Sequence, residues 1–222
     1  MTPVIGLFTA EAEKIAIPDR EIWRYLGYRG NVPDGAVLEQ IEAVRREFLG
    51  AVQYKACFAK TKTRRNDAGG IFFPFGTVRS KALERSLAGC EEAYVFCATA
   101  GIGADRLISR YAVAEPARSV IADAVATAAV EAFCDSLCAS FGGSGYLRPR
   151  FSPGYGDLSL EYQSEVLRYL DAARKINVQL TQSMMMVPSK SVTAIAGIGR
   201  EQCAVPSGCR TCTQKDCAYR RR

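Results

Sequence analysis

The sequence predicts a single α+β domain, a twisted and mainly antiparallel sheet with helices packed around it, followed by a short cysteine-rich C-terminal tail. Three observations predict it. A chain of 222 residues with 48% hydrophobic content can bury a substantial core in one domain but hardly in two. Strand-length runs, alternating over residues 52–58 and continuously apolar over residues 93–99, are interspersed with apolar stripes of helical spacing. Beyond Gly199 almost nothing remains to bury, so the domain is assigned to residues 1–200 and the tail to residues 201–222.

Taken in order, Pro18-Asp19 opens a short helix that the glycines at 27 and 30 stop. Asp34 caps a second helix, on which Leu38, Ile41, Val44 and Phe48 form one stripe. Residues 52–58 alternate as a half-buried strand. Asn66-Asp67-Ala68-Gly69-Gly70 turns the chain into residues 71–75, where Pro74 marks a strand edge or end. Residues 80–89 are helical by periodicity and end at Gly89. Residues 93–99 form a strand that runs into Ala100-Gly101-Ile102-Gly103, a turn read as packing or close ligand approach, since a third glycine of a dinucleotide motif is missing. Residues 117–140 form an alanine-rich helix whose small residues allow close neighbours. Glu131 and Asp135 on it are like charges one turn apart, which disfavour a helix unless a cation or donor compensates. Residues 159–173 read as one amphipathic helix with Val166, Leu167 and Leu170 inward. Residues 176–181 and 192–195 read as strands, and Met184, Met185 and Met186 as core filling.

Between the last two long helices lies Arg148-Pro149-Arg150-Phe151-Ser152-Pro153-Gly154-Tyr155-Gly156-Asp157. Proline fixes φ and glycine permits positive φ, so this composition specifies a loop of set shape with backbone donors free of any ladder. Arg150 offers a planar fork for a carboxylate or phosphate, and Tyr155 a flat face with a polar tip. A structural turn with solvated arginines is the alternative on composition alone.

The net charge of +6 is concentrated at residues 60–65 and 220–222, a solvated turn and tail rather than a nucleic-acid surface. No basic leader or unbroken apolar span is visible, so a soluble, cytoplasmic protein without membrane contact is expected. There is no histidine, which excludes His-based triads and a histidine ligand to cobalt supplied by this chain. Nine cysteines in such a chain suggest a metal or redox site. Cys203, Cys209, Cys212 and Cys217 could form a four-sulfur site for zinc or an iron-sulfur cluster, or leave a tail of free thiols. Cys134 and Cys138, one turn apart on the alanine-rich helix, read as small core residues.

Three stretches carry a family resemblance. Arg150-Phe151-Ser152-Pro153-Gly154-Tyr155 resembles the Arg-x-x-x-Gly-Tyr element of the activation domain of cobalamin-dependent methionine synthase. Val130-Glu131-Ala132-Phe133 resembles its Ala-Glu-Ala-Phe, and residues 186–193 resemble its Met-Trp-Pro-Gly-Ala-Ser-Val-Ser. Order and approximate spacing are kept over residues 121–197, and residues 19–30 and 76–80 share the idiom of free-standing relatives. The resemblance implies that domain's fold and binding of S-adenosylmethionine through Glu131, Arg150, Ser152, Pro153, Gly154, Tyr155 and Gly156. Arg150 would meet the ligand carboxylate, backbone at Ser152 and Gly154 the adenosyl portion, and Glu131 the ammonium or ribose.

It further implies a reactivation subunit for methionine synthase. Cobalamin would be carried by that partner or by another corrinoid protein, with flavodoxin or ferredoxin as electron donor. Two departures stand out: Gly156 replaces a proline of the family, and Ala196 stands where the larger enzyme has a tyrosine. An activator of another corrinoid methyltransferase and an iron-sulfur redox protein are the alternative readings.

Overall fold

The computed structural model describes residues 4–28, 30–65, 70–142 and 145–201. In chain order the elements are β1 (Gly6–Ala10), α1 (Asp19–Tyr25), α2 (Gly35–Ala51), β2 (Tyr54–Lys62), β3 (Arg64–Arg65), β4 (Ile71–Phe73), β5 (Gly76–Val78), α3 (Lys81–Ser86) and β6 (Cys90–Thr99). There follow α4 (Ile102–Ala114), α5 (Pro116–Ser140), β7 (Tyr146–Leu147), α6 (Tyr162–Tyr169), α7 (Ala172–Ile176), β8 (Gln179–Leu180), β9 (Met186–Val187) and β10 (Ser191–Gly199). The central sheet has the order β1-β2-β6-β10-β7, and every strand pair in it is antiparallel.

This sheet is buried on both faces, which explains why residues 93–99 read as a continuous apolar run. Tyr54, Ala56, Phe96, Ala98 and Ala194 face a core shared with α1, α2, α4 and α5. Cys57, Ala59, Val95, Cys97 and Ile195, one residue out of phase, face a second core with Ile71, Phe73, Leu83, Leu87, Val166 and Leu170. The β3-β4-β5 sheet, α3, α6 and α7 cover that side. Burying a side chain such as Phe96 or Phe133 contributes about 2 kcal/mol.

Helix α5 is apolar nearly all round because it is enclosed. Its alanines at 122, 124, 126, 128 and 129 are buried, and Phe133 stacks on Tyr54 at 4.8 Å and Phe8 at 5.7 Å. The cap expected at Asp34 forms, and Ser80 caps α3 in the same way. Asp34 Oδ1 accepts the Val37 N–H at 2.9 Å, and Ser80 Oγ accepts the Leu83 N–H at 3.0 Å. Pro74 ends β4, while Asn66, Asp67, Ala68 and Gly69 lie outside the described residues.

Four sequence expectations are corrected or sharpened. Residues 159–173 are two helices rather than one, because Asp171 adopts a left-handed φ of 51° between α6 and α7. Ile176 closes α7 with its side chain buried, and Asn177 turns left-handed at φ 58°, so the strand expected over residues 176–181 shrinks to Gln179–Leu180. Of the three methionines only Met186 packs on a core, while Met185 at the β8–β9 turn is 62% exposed. The glycine turn after β6 is a packing device. A Cβ on Gly103 would lie 2.0 Å from the Ala51 carbonyl oxygen, and one on Gly101, at φ 81°, 3.0 Å from that of Gln53.

Candidate functional site

The loop after β7 is built as an edge of the main sheet. Arg148 donates its N–H to Gly197 O at 2.7 Å, and Phe151 and Ile195 exchange both backbone bonds at 2.9 Å. Successive side chains therefore alternate across the edge: Phe151 packs into the core with Ile195, and its neighbour Arg150 turns to the opposite face, towards α5. The chain then reverses within residues 152–158. Tyr155 N–H bonds Ser152 O at 3.0 Å, Gly154 N–H bonds Leu158 O at 2.8 Å, and Leu158 N–H bonds Tyr155 O at 3.0 Å. Gly154 at φ 91° and Gly156 at φ 57° supply the left-handed turns. The expectation of uncommitted backbone donors is thus corrected for Phe151, Gly154 and Tyr155: the loop bonds to β10 and to itself, as buried or tightly turned backbone must.

Asp157 anchors the far end of the loop on α3. Its Oδ1 accepts from Ser80 Oγ at 2.5 Å and from Ala82 N–H at 3.0 Å, and its Oδ2 from Lys81 N–H at 2.8 Å. These donors, the Ser80 hydroxyl foremost, pull the Asp157 carboxyl down to about 2. A Cβ on Gly156 would come within 2.9 Å of Ala82 Cβ, so this glycine lets the loop lie against the helix. The two stretches noted in the sequence, residues 76–80 and 150–157, are parts of one structural unit.

On the α5 side, Arg150 Nη2 lies 2.8 Å from Glu131 Oε2 and Nη1 lies 3.0 Å from Asp135 Oδ1. Nη1 also approaches the Glu131 carbonyl at 3.4 Å. The cation required to relieve the Glu131/Asp135 repulsion is Arg150 itself. Its side chain is only 19% exposed. Burial alone would lower its pKa, but Cys134, Glu131 and Asp135 together outweigh that and hold it raised. Cys134 is buried, as expected, whereas Cys138 is half-buried beside the same guanidinium; burial raises both thiols.

Tyr155, 55% exposed, stands edge-on to Phe151 at 6.0 Å. Desolvation, then the Glu131 carboxylate and Tyr25, raise its phenol. Tyr25 joins from α1, which packs on α5; its own phenol is raised by burial and carries the Arg24 guanidinium 4.1 Å above its ring. Arg24 Nε in turn donates to Glu21 at 3.1 Å.

Of the sequence-predicted residues, the fold brings Glu131, Arg150 and Tyr155 together, with Ser152, Pro153, Gly154 and Gly156 on the adjoining turn. Asp135 and Tyr25 are additions. Asp135 was visible as the acid one turn from Glu131, and Tyr25 only as part of residues 19–30. Ala196 is fully buried on β10 opposite Tyr94, whose ring stacks on Phe141 at 3.8 Å. Cys203, Cys209, Cys212 and Cys217 lie outside the described residues.

Chemically, the cluster is an anion-binding fork with a carboxylate and a phenol beside it, open to solvent on the Asp135 and Tyr155 side. It suits a zwitterionic ligand with an aromatic portion. No helix among the described residues is long and apolar enough to cross a membrane. No protein-family model matches the chain, and no curated protein matches it. Among solved structures, the chain is similar to the MetH reactivation domain bound to AdoHcy, with a TM-score of 0.62 and 14% sequence identity over 90% of this chain and 80% of that one. That similarity shows that this protein has the fold of the MetH reactivation domain.

Proposed function

We propose that this protein binds S-adenosylmethionine at the Arg150, Glu131 and Tyr155 cluster and serves as a reactivation component for a cobalamin-dependent methyltransferase, methionine synthase foremost. The observation that supports the reading is the convergence of these three residues, from separate motifs, in a fold whose solved counterpart holds AdoHcy. Arg150 takes the ligand carboxylate, and Glu131 faces its ammonium or ribose. Because the Gly154 N–H is already bonded to Leu158, the adenosyl contact falls to the Ser152 N–H and the Gly154 carbonyl; among the described residues neither has another partner.

The chain supplies positioning and electrostatics rather than an acid or base. The partner's corrinoid would be the substrate: reduced by one electron from a flavodoxin- or ferredoxin-type donor, it would accept the sulfonium methyl, and S-adenosylhomocysteine would remain at the cluster where Arg150, Glu131 and Tyr155 hold and orient the donor. Zinc or an iron-sulfur cluster on Cys203, Cys209, Cys212 and Cys217 belongs to the same proposal, the first as a clip and the second as an electron relay. Metal analysis and a visible spectrum after anaerobic purification distinguish them.

Calorimetric titration with S-adenosylmethionine and S-adenosylhomocysteine tests the binding step. Saturable binding is expected, followed by restoration of methylcobalamin when a cobalt(II) methionine synthase partner and reductant are added. A second corrinoid methyltransferase in parallel identifies the partner class. Absence of binding both alone and with a corrinoid partner overturns the reading.

A further inference from the structure

Arg150 is the cation that the proposed function needs, yet both of its terminal nitrogens already have carboxylate partners. The two partners are not equivalent. Glu131 is 30% exposed and bonds at 2.8 Å, and its backbone carbonyl also lies on the guanidinium. Asp135 is 76% exposed, and among the described residues Arg150 is its one partner, through Nη1 alone at 3.0 Å. An exposed carboxylate released from such a contact is rehydrated at little cost, whereas the less exposed Glu131 would regain less water, and the Nη1 that Asp135 leaves keeps its contact with the Glu131 carbonyl. A ligand carboxylate approaching from solvent therefore exchanges with Asp135. Glu131 stays in place and keeps the guanidinium plane fixed.

We infer that Asp135 is a specificity-determining residue that competes with the ligand carboxylate for Arg150, so that a ligand gains from its carboxylate only what exceeds the Arg150–Asp135 contact. The inference rests on the S-adenosylmethionine reading above. It predicts that the free protein undervalues the amino-acid end of the ligand, and that removing the Asp135 charge restores that value.

The test is calorimetric titration of the wild-type protein, Asp135→Asn and Asp135→Ser with S-adenosylhomocysteine and with 5′-methylthioadenosine, which lacks the amino-acid end. Asp123→Asn, an exposed acid on the same helix paired with Lys190, controls for overall charge. Circular dichroism and thermal unfolding establish that each variant is folded. Both Asp135 variants should bind S-adenosylhomocysteine roughly two- to fivefold more tightly than wild type, while 5′-methylthioadenosine affinity and Asp123→Asn are unchanged. Binding seen only in the Asp135 variants supports the inference equally. Wild-type binding with no gain in the variants overturns this inference alone, and a loss in them assigns Asp135 to the ligand ammonium instead. No binding of S-adenosylhomocysteine by any of the proteins, titrated alone and again with a corrinoid partner present, overturns the proposed function and this inference with it.

Discussion

At Arg150 one guanidinium meets the carboxylates of Glu131 and Asp135 and a backbone carbonyl, so its role is structural and functional at once. Arg150→Ala removes the cation between two acids one helical turn apart. Because both acids retain access to water, the cost in stability is about 1 kcal/mol, measurable as a small fall in the unfolding midpoint. The cost in binding is larger. Loss of a charge-assisted pair to the ligand carboxylate should weaken S-adenosylhomocysteine about 10- to 100-fold in a calorimetric titration. Arg150→Lys should recover most of the stability and little of the binding, since an ammonium lacks the planar fork. Equal binding by all three proteins would remove Arg150 from the ligand site. The sequence showed Arg150 and Glu131 as separate residues of interest; their mutual bond depends on β10 holding the loop edge at the right height along α5.

At the scale of elements, the loop is a strap between β10 and α3, and Asp157 is its α3 end. The Asp157 carboxyl is depressed from an ordinary 3.8 to about 2. A depressed acid stabilises the fold in its ionised form, so its contribution is complete above about pH 4 and is lost as pH falls towards 2. Asp157→Asn should therefore show a shallower loss of unfolding free energy between pH 4 and pH 2 than wild type. Parallel profiles in that window would show that the carboxylate's charge plays no part in capping α3. The turn from β6 into α4 makes a second prediction at this scale. Gly103→Ala drives a methyl group to 2.0 Å from the Ala51 carbonyl oxygen, which forces α2 and α4 apart. A loss of about 2 kcal/mol or more in denaturant unfolding is expected, with ligand affinity unchanged where the variant still folds. A neutral effect on stability would return that turn to the list of ligand-binding loops.

The whole molecule is a sheet sealed between two cores, and its central strands hold thiols that water does not reach. Cys57 and Cys97 face each other across β2 and β6, and Cys134 lies on the enclosed side of α5. Desolvation pushes the Cys57 thiol up to about 12 and raises Cys97 and Cys134 well above the ordinary value. In native protein these three should resist alkylation until global unfolding, as followed by peptide mass spectrometry, while the half-buried Cys90 and Cys138 react sooner. Fast labelling of Cys57 or Cys97 at native conditions would mean that the sheet opens locally on one face.

The α+β class, the cap at Asp34, the long alanine-rich helix and two of the central strands of the sheet were legible in the sequence. Each follows from local chemistry: periodicity, a side-chain acceptor at a helix start, or an unbroken apolar run. The loop at residues 148–157 stood out by its composition as a ligand loop or a structural turn, and Glu131 was picked out by the family resemblance rather than by local chemistry. Only the tertiary structure decided that Arg150 faces Glu131 and Asp135, that Asp157 caps α3, that Tyr25 joins the cluster from α1, and that residues 159–173 break at Asp171. These are contacts between segments distant in sequence, or a left-handed residue whose choice depends on what Leu170 and Ala172 must bury on either side of it. Local propensity carries no information about either, because the free energy that selects them arises only when the two cores close on the sheet.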